Sequence, residues 1–152
     1  MQRDAAMLPE RRPSSAAHRA RAGNDLTEDT TPLEASLKWT IGKRRREACD
    51  FIGGEAIKKQ MQEGISRRRV GILSEGAPPR PGAELLLASD GTKVGTISSG
   101  AFSPNLNKNV GMAYVDKPHD KAGTKLKVVV RGKQSDAEVA KPPFVQPTYY
   151  KG

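Results

Sequence analysis

Few residue types in this 152-residue chain could carry out chemistry, and most of them stand alone. Cys49 is the only cysteine, so an internal disulfide and a zinc ligand set are both excluded, and a small packing thiol in a reducing compartment is the expected role. His18 and His119 occur singly, which leaves no material for a metal site or a His-based nucleophile system. Gly53-Gly54 precedes a predicted helix, and a helix N-terminus can hold an anion. The pair lacks the spacing of a dinucleotide fingerprint, so a helix-entry turn is expected. Ser98-Ser99-Gly100 has neither the flanking glycines nor the partner base of a nucleophile elbow, and reads as a loop after a strand. Two basic clusters, residues 43–46 and 67–69, place seven cations within 27 residues. They form either a solvated face or a docking patch for an acidic partner or a polyglutamyl chain. The run Pro142-Pro143-Phe144-Val145-Gln146-Pro147-Thr148-Tyr149-Tyr150 joins stiff backbone to flat apolar rings with polar tips. It would either close the open end of a barrel or set a tyrosine against an aromatic ligand.

Charge narrows the partners without naming one. The net charge of +9 would attract phosphates, acidic proteins or polyanionic small ligands alike. The cations are scattered, and no aromatic-rich ribonucleoprotein signature, zinc-finger spacing or KH-type loop accompanies them, so nucleic acid is not the expected partner. With 36% hydrophobic and 5% aromatic residues, part of the chain is expected to stay disordered. No apolar run approaches the length needed to span a membrane.

The elements that must position these residues are mainly short strands. Residues 1–22 carry five arginines and almost no large apolar residue, which predicts a disordered arm. It resembles either an organellar transit peptide or an unrelated leader. Thr31-Pro32-Leu33-Glu34 predicts a short capped turn through Leu37, followed by an extended piece at Trp39, Thr40 and Ile41. A helix is predicted over 54–63, with Ile57 and Met61 on its buried side and Gly64 as terminator. Strands follow at 70–73, 84–88, 93–97, 110–115, 125–131 and 137–140. Asp90-Gly91 makes a hairpin turn, and Gln134-Ser135-Asp136 is assigned to the last one. In 125–131, Leu126, Val128 and Val130 face inward. Short strands joined by Gly/Pro turns predict a mainly β chain: a small antiparallel β-barrel over 65–152, preceded by a short α/β segment over 23–64 and the disordered arm over 1–22.

Several multi-residue runs then point to a family. GNDLTEDTTPLEASLKWTIGKRRREACDFIGGEAI resembles the segment that closes the folate-binding region of glycine cleavage system aminomethyltransferases, the T-proteins. RRRVGILSEGAPPR, GTKVGTISSGAFSPNLNKNVGMAYV, GTKLKVVVRGK and PPFVQPTYYKG resemble their C-terminal barrel, in the right order, and KAGTKLKVVVRGKQ is most similar to plant or algal versions. Dehydrogenases with a T-protein-like region and the iron–sulfur assembly paralogue fit the GKRRR segment and the aromatic ending less well.

The resemblance implies transfer of the one-carbon unit from the aminomethyl-lipoyl arm of the H-protein to tetrahydrofolate, with release of ammonia. Tetrahydrofolate is then a co-substrate, the lipoylated H-protein a partner, and the compartment mitochondrial. No metal is implied. In the family the chemistry is largely orientation, with an aspartate handling protons and charge. That aspartate falls upstream of the matching residues, and Asp25 and Asp29 do not correspond to it. No catalytic residue is therefore assigned here, and an incomplete, weakly active or inactive chain is expected. Tyr149 maps onto a substrate-contacting tyrosine, and Arg80, by a looser correspondence, onto a carboxylate contact. A non-catalytic barrel module binding H-protein or another acidic partner is the alternative. Residues 23–64 are expected to leave Trp39, Ile41, Phe51 and Ile57 as an exposed apolar patch.

Overall fold

The computed structural model describes residues 23–144, which form a closed six-stranded antiparallel barrel with a polar-stapled segment laid along its first strand. The strands are β1 (Arg67–Ser74), β2 (Glu84–Leu87), β3 (Lys93–Ser103), β4 (Lys108–Asp116), β5 (Lys125–Val130) and β6 (Lys133–Ala140). Around the barrel the order is β1-β4-β3-β2-β5-β6, and β6 returns to pair with β1 from Gly71↔Ala140 to Ser74↔Ala137. Closure matters because strands this short would otherwise expose unpaired edges.

The interior is aliphatic. Ile72, Leu85, Ile97, Ala113, Val115, Leu126 and Val128 are at most 1% exposed, and Val70, Val94, Val130, Ala137 and Val139 complete the core. The inward set expected in β5 is thus found, because alternation there is strict: Lys125 exposed, Leu126 buried, Lys127 partly buried, Val128 buried. The Asp90-Gly91 turn is also found. Asp90 Oδ1 accepts from the Thr92 N–H at 3.0 Å, a bond that holds this carboxyl below its ordinary pKa, and Gly91 has φ +72°.

Three local expectations need correction. The β5–β6 turn lies at Arg131-Gly132, not at Gln134-Ser135-Asp136. Arg131 and Gly132 take φ of 52° and 76°, the two positive values a tight primed turn requires. Gln134 and Ser135 instead pair with Val129 and Val128. Second, Ser98-Ser99-Gly100 is no loop: β3 runs on to Ser103, and a bulge makes Ser98 the extra residue between Ile97↔Ala113 and Ser99↔Met112. Third, Trp39 and Thr40 lie in a 3-10 turn, Lys38–Thr40, where Thr40 donates both its N–H and its hydroxyl to the Leu37 carbonyl. The basic run, for which no element was expected, forms a helix, α1 (Lys43–Ala48), stopped by Cys49 in the left-handed region. Arg, Glu and Ala are all good helix formers, so this element was open to propensity reasoning.

The helix α2 (Gly54–Glu63) ends at Gly64, φ +91°, as its sequence predicts. Ile57 is 5% exposed and so does not join an apolar patch; Trp39 is 76% exposed, while Ile41 and Phe51 are half-buried. Ahead of these helices the turn at 31–37 is held by a reciprocal capping pair: Glu34 N–H to Thr31 Oγ1 and Thr31 N–H to Glu34 Oε2, both 3.3 Å.

Two substitutions separate the barrel from its covering segment. Ile72→Ala empties a fully buried core position and should cost about 2–5 kcal/mol in urea unfolding. Ser98→Ala removes a buried donor to Asp25 and should cost about 1–3 kcal/mol. Hydrogen exchange should then quicken at residues 23–37 with barrel amides unchanged. Equal acceleration in both would contradict this division.

Candidate functional site

The covering segment is attached through a buried polar node on the outside of β1, β3 and β4. Asp25, 2% exposed, accepts from the Ser98 hydroxyl at 2.5 Å, and its carbonyl accepts from the Tyr114 hydroxyl at 2.6 Å. Arg67 lies over the Tyr114 ring, 5.3 Å from its centroid, and reaches Glu34 Oε2 at 3.5 Å. The Arg69 N–H donates to the Glu34 carbonyl at 2.8 Å, and Ser36 Oγ donates to the Arg69 carbonyl at 3.2 Å. Glu34 also accepts from Gln60 Nε2, and Thr31 Oγ1 bonds Gln60 Oε1 at 2.6 Å, which ties α2 into the same network. Sequence reasoning missed Ser98 and Tyr114: the bulge at Ser98, whose hydroxyl meets the covering segment, breaks the period-2 pattern that alternation detects.

Beside this node a groove of about 1220 Å³ runs from the cleft between α2 and β1 to the barrel end near residues 117–122. Its lining includes the apolar Leu33, Leu37, Met61, Ile65 and Met112 and the cationic Lys38, Arg46, Arg68, Arg69, Lys117, Lys121 and Lys141. Of the two basic clusters, apart in sequence, Arg46 of the first and Arg68 and Arg69 of the second line this one surface, whereas Lys43, Arg44, Arg45 and Arg67 do not. Arg69 is 8% exposed, and its Nε and Nη1, like Nε of Arg46, have no hydrogen-bond acceptor. Asp120 is the one acid among the described residues lining the groove, and it pairs with Arg68 at 3.3 Å. Such a mixed apolar and cationic lining attracts anionic groups.

Of the sequence-assigned site residues only Arg80 falls among the described ones. Arg80 is exposed in the β1–β2 loop, next to the fully buried Pro79, with its carbonyl accepting from Ala83 at 3.0 Å. It does not line the groove. Tyr149, like the arm at 1–22, lies outside the described residues. The described chain ends beside the groove: Pro142 lines it, and Phe144 packs its ring on Gly71, where an added Cβ would stand 2.6 Å from the ring. Among the described residues no group of three His, Cys, Asp or Glu side chains could hold a metal ion. No described helix is long and apolar enough to cross a membrane.

Fold and groove together define a closed β-barrel module with an anion-receptive surface. Residues 67–146 match the glycine cleavage T-protein C-terminal barrel domain. The aminomethyltransferase of mitochondria from Solanum tuberosum is 52% identical over 129 residues, covering 85% of this chain and 32% of that protein. The Homo sapiens mitochondrial aminomethyltransferase is 52% identical over 128 residues, with 84% and 32% covered. The crystal structure of glycine cleavage system aminomethyltransferase T from Bartonella henselae superposes with a TM-score of 0.76 at 38% identity, over 85% of this chain and 36% of that one. The chain belongs to the glycine cleavage T-protein family and corresponds to its C-terminal portion. It spans about a third of the length of the curated relatives it matches.

Tyr114 makes the node sensitive to alkali. Burial, opposed by the neighbouring arginines, raises its pKa above the ordinary 10.0. The folded chain then keeps this proton where the unfolded chain has lost it, so the contribution is intact below pH 10 and is lost as pH rises through the folded value. Stability should fall across that window, and Tyr114→Phe should flatten the fall in urea midpoints measured against pH.

Proposed function

We propose that this chain serves as the C-terminal part of a glycine-cleavage aminomethyltransferase, in which the one-carbon unit on the H-protein lipoyl arm passes to tetrahydrofolate and ammonia is released. The family match over 67–146 carries this reading, supported by the likeness over 85% of the chain to proteins named aminomethyltransferases. In it, residues 65–152 are the barrel and 23–64 a remnant of the folate-binding domain. Tyr149 contacts the folate, Arg80 its carboxylate side, and the protein works in mitochondria, as the names of the relatives suggest.

Binding and orientation are what these residues would supply. The polar node holds residues 23–37 against β1, so the groove wall and the departure of the terminal segment from β6 keep a set geometry.

A second reading, a non-catalytic module that binds the H-protein or another acidic partner, is favoured by the convergence of Arg46, Arg68 and Arg69 on one groove.

Calorimetric titration of the purified chain with tetrahydrofolate separates the two. Weak binding that Tyr149→Phe lowers further supports the first reading, and no tetrahydrofolate binding beside salt-sensitive association with lipoylated H-protein supports the second and overturns the first.

A further inference from the structure

The β1–β2 loop, residues 75–83, is fastened to the barrel along its length yet presents one cation, Arg80, to solvent. At its start the Glu75 N–H donates to the Asp136 carbonyl at 3.0 Å, and Asn109 Nδ2 donates to the Gly76 carbonyl at 2.8 Å. In its middle Pro79 is fully buried against Gly100 and Gly111, which pair across β3 and β4. A Cβ at Gly100 would stand 2.2 Å from the Pro79 carbonyl oxygen and 2.8 Å from its Cγ, and one at Gly111 would stand 3.3 Å from the same Cγ. Only glycines leave room for this seat. At the end of the loop the Ala83 N–H donates to the Arg80 carbonyl at 3.0 Å, around a Pro81-Gly82 turn in which Gly82 has φ +83°. That turn is tied to β3: the Gly82 N–H donates to the Ile97 carbonyl at 2.9 Å, and the Ile97 N–H donates to the Ala83 carbonyl at 2.8 Å. Between seat and turn, Arg80 is exposed, and among the described residues none pairs with its guanidinium.

We propose that Pro79 in its two-glycine seat and the Pro81-Gly82 turn are positioning elements, which fix the Arg80 backbone so that its guanidinium can meet a carboxylate ligand. The inference rests on the reading of Arg80 as a contact for the carboxylate side of folate, and adds what sets the place of that contact. The clamps determine where the Arg80 Cα stands and which way its Cβ points, while the side chain keeps its own rotamers. An arginine bonds a carboxylate through two parallel N–H groups only when its fork is aligned with it. A backbone already ordered by folding has little further freedom to lose when the ligand arrives. Neither Pro79 nor Gly82 needs to touch the ligand. A loop clamped only for stability behaves differently, because its clamps would contribute the same whether residue 80 is Arg or Gln.

The test uses the full chain labelled with nitrogen-15, and its probe is γ-linked triglutamate, which carries carboxylates and no pterin. In the free chain the heteronuclear NOE of the Arg80 amide should equal that of β1 amides, and a value typical of a mobile loop would overturn the clamp. Triglutamate should shift the Arg80 amide and Nε resonances saturably. Equal shifts from neutral triglutamine would overturn the carboxylate assignment. Arg80→Gln should weaken binding about tenfold. Pro79→Ala and Gly82→Ala should each weaken it roughly threefold and lower the NOE at residues 79–82 alone. Gly82→Ala adds its methyl to open space and strains only the backbone, so it carries the test if thermal melts show that Pro79→Ala does not fold. On the Arg80→Gln background neither variant should change the affinity further, which is the signature of action through Arg80. If Arg80→Gln leaves the affinity unchanged, the carboxylate contact fails and the positioning claim falls with it. If Arg80→Gln weakens binding but the loop variants leave it intact, or weaken it equally on both backgrounds, the contact stands and the positioning claim is overturned.

Discussion

Four residue pairs, Gly71↔Ala140 through Ser74↔Ala137, close the sheet, and most of the molecule's organisation depends on them. They join the last strand to the first, so that β1 is bonded on both sides, to β4 and to β6. A six-stranded sheet left open here would expose two hydrogen-bonding edges and uncover the inner aliphatic face. Closed, it places Ile72 and Val70 of β1 against Val128 and Val139, in an interior with no polar member in its core cluster. Gly71 serves this junction in a second way. With no side chain, it admits both the Ala140 carbonyl and the Phe144 ring to its surface, and a Cβ there would collide with each.

Because β1 is held on both edges, its outer face becomes a fixed platform for the chain before it. Hydrogen bonds rather than extensive apolar area fasten residues 23–37 there. Asp25, Ser98, Tyr114, Glu34, Arg67 and Arg69 form a network that runs from the barrel wall to the segment. In a site shielded from water, satisfied polar groups specify one arrangement, since any displacement leaves buried donors unpaired. Leu33 and Ala35 fill the space beneath the turn and add the apolar component. The node is thus a device for register and position, and the groove beside it inherits its shape.

The groove shows how a net charge becomes a surface. A surplus of nine positive charges spread over 152 residues says only that anions are attracted. Folding sorts those charges: Lys125 pairs with Glu138, Lys93 with Glu84 at 2.7 Å and Lys108 with Glu75 at 3.2 Å on other faces, whereas Arg46, Lys38, Lys121 and Lys141 gather along one cleft. The family match spans the barrel, and the likeness to the Bartonella henselae structure over 85% of the chain takes in the covering segment as well.

What was legible in the sequence follows from chemistry that acts locally. Alternation in 125–130, the Asp90-Gly91 turn, the capped turn at Thr31 and the glycine stop at Gly64 each rest on neighbours in the chain, and each is present. The mainly β barrel and the family could both be read from these signals and the ordered motifs. The same local reasoning placed the last turn three residues late, because a primed turn at Arg131-Gly132 needs a positive φ from an arginine, which propensity does not favour. It took Ser98 for a loop residue because a bulge has no periodic signature. Tertiary structure alone decided that Arg46 shares a groove with Arg68 and Arg69, and that Asp25 meets Ser98 across 73 positions. Such pairings depend on which strands close the barrel, and strand order is set by the summed burial of the whole core rather than by any one segment.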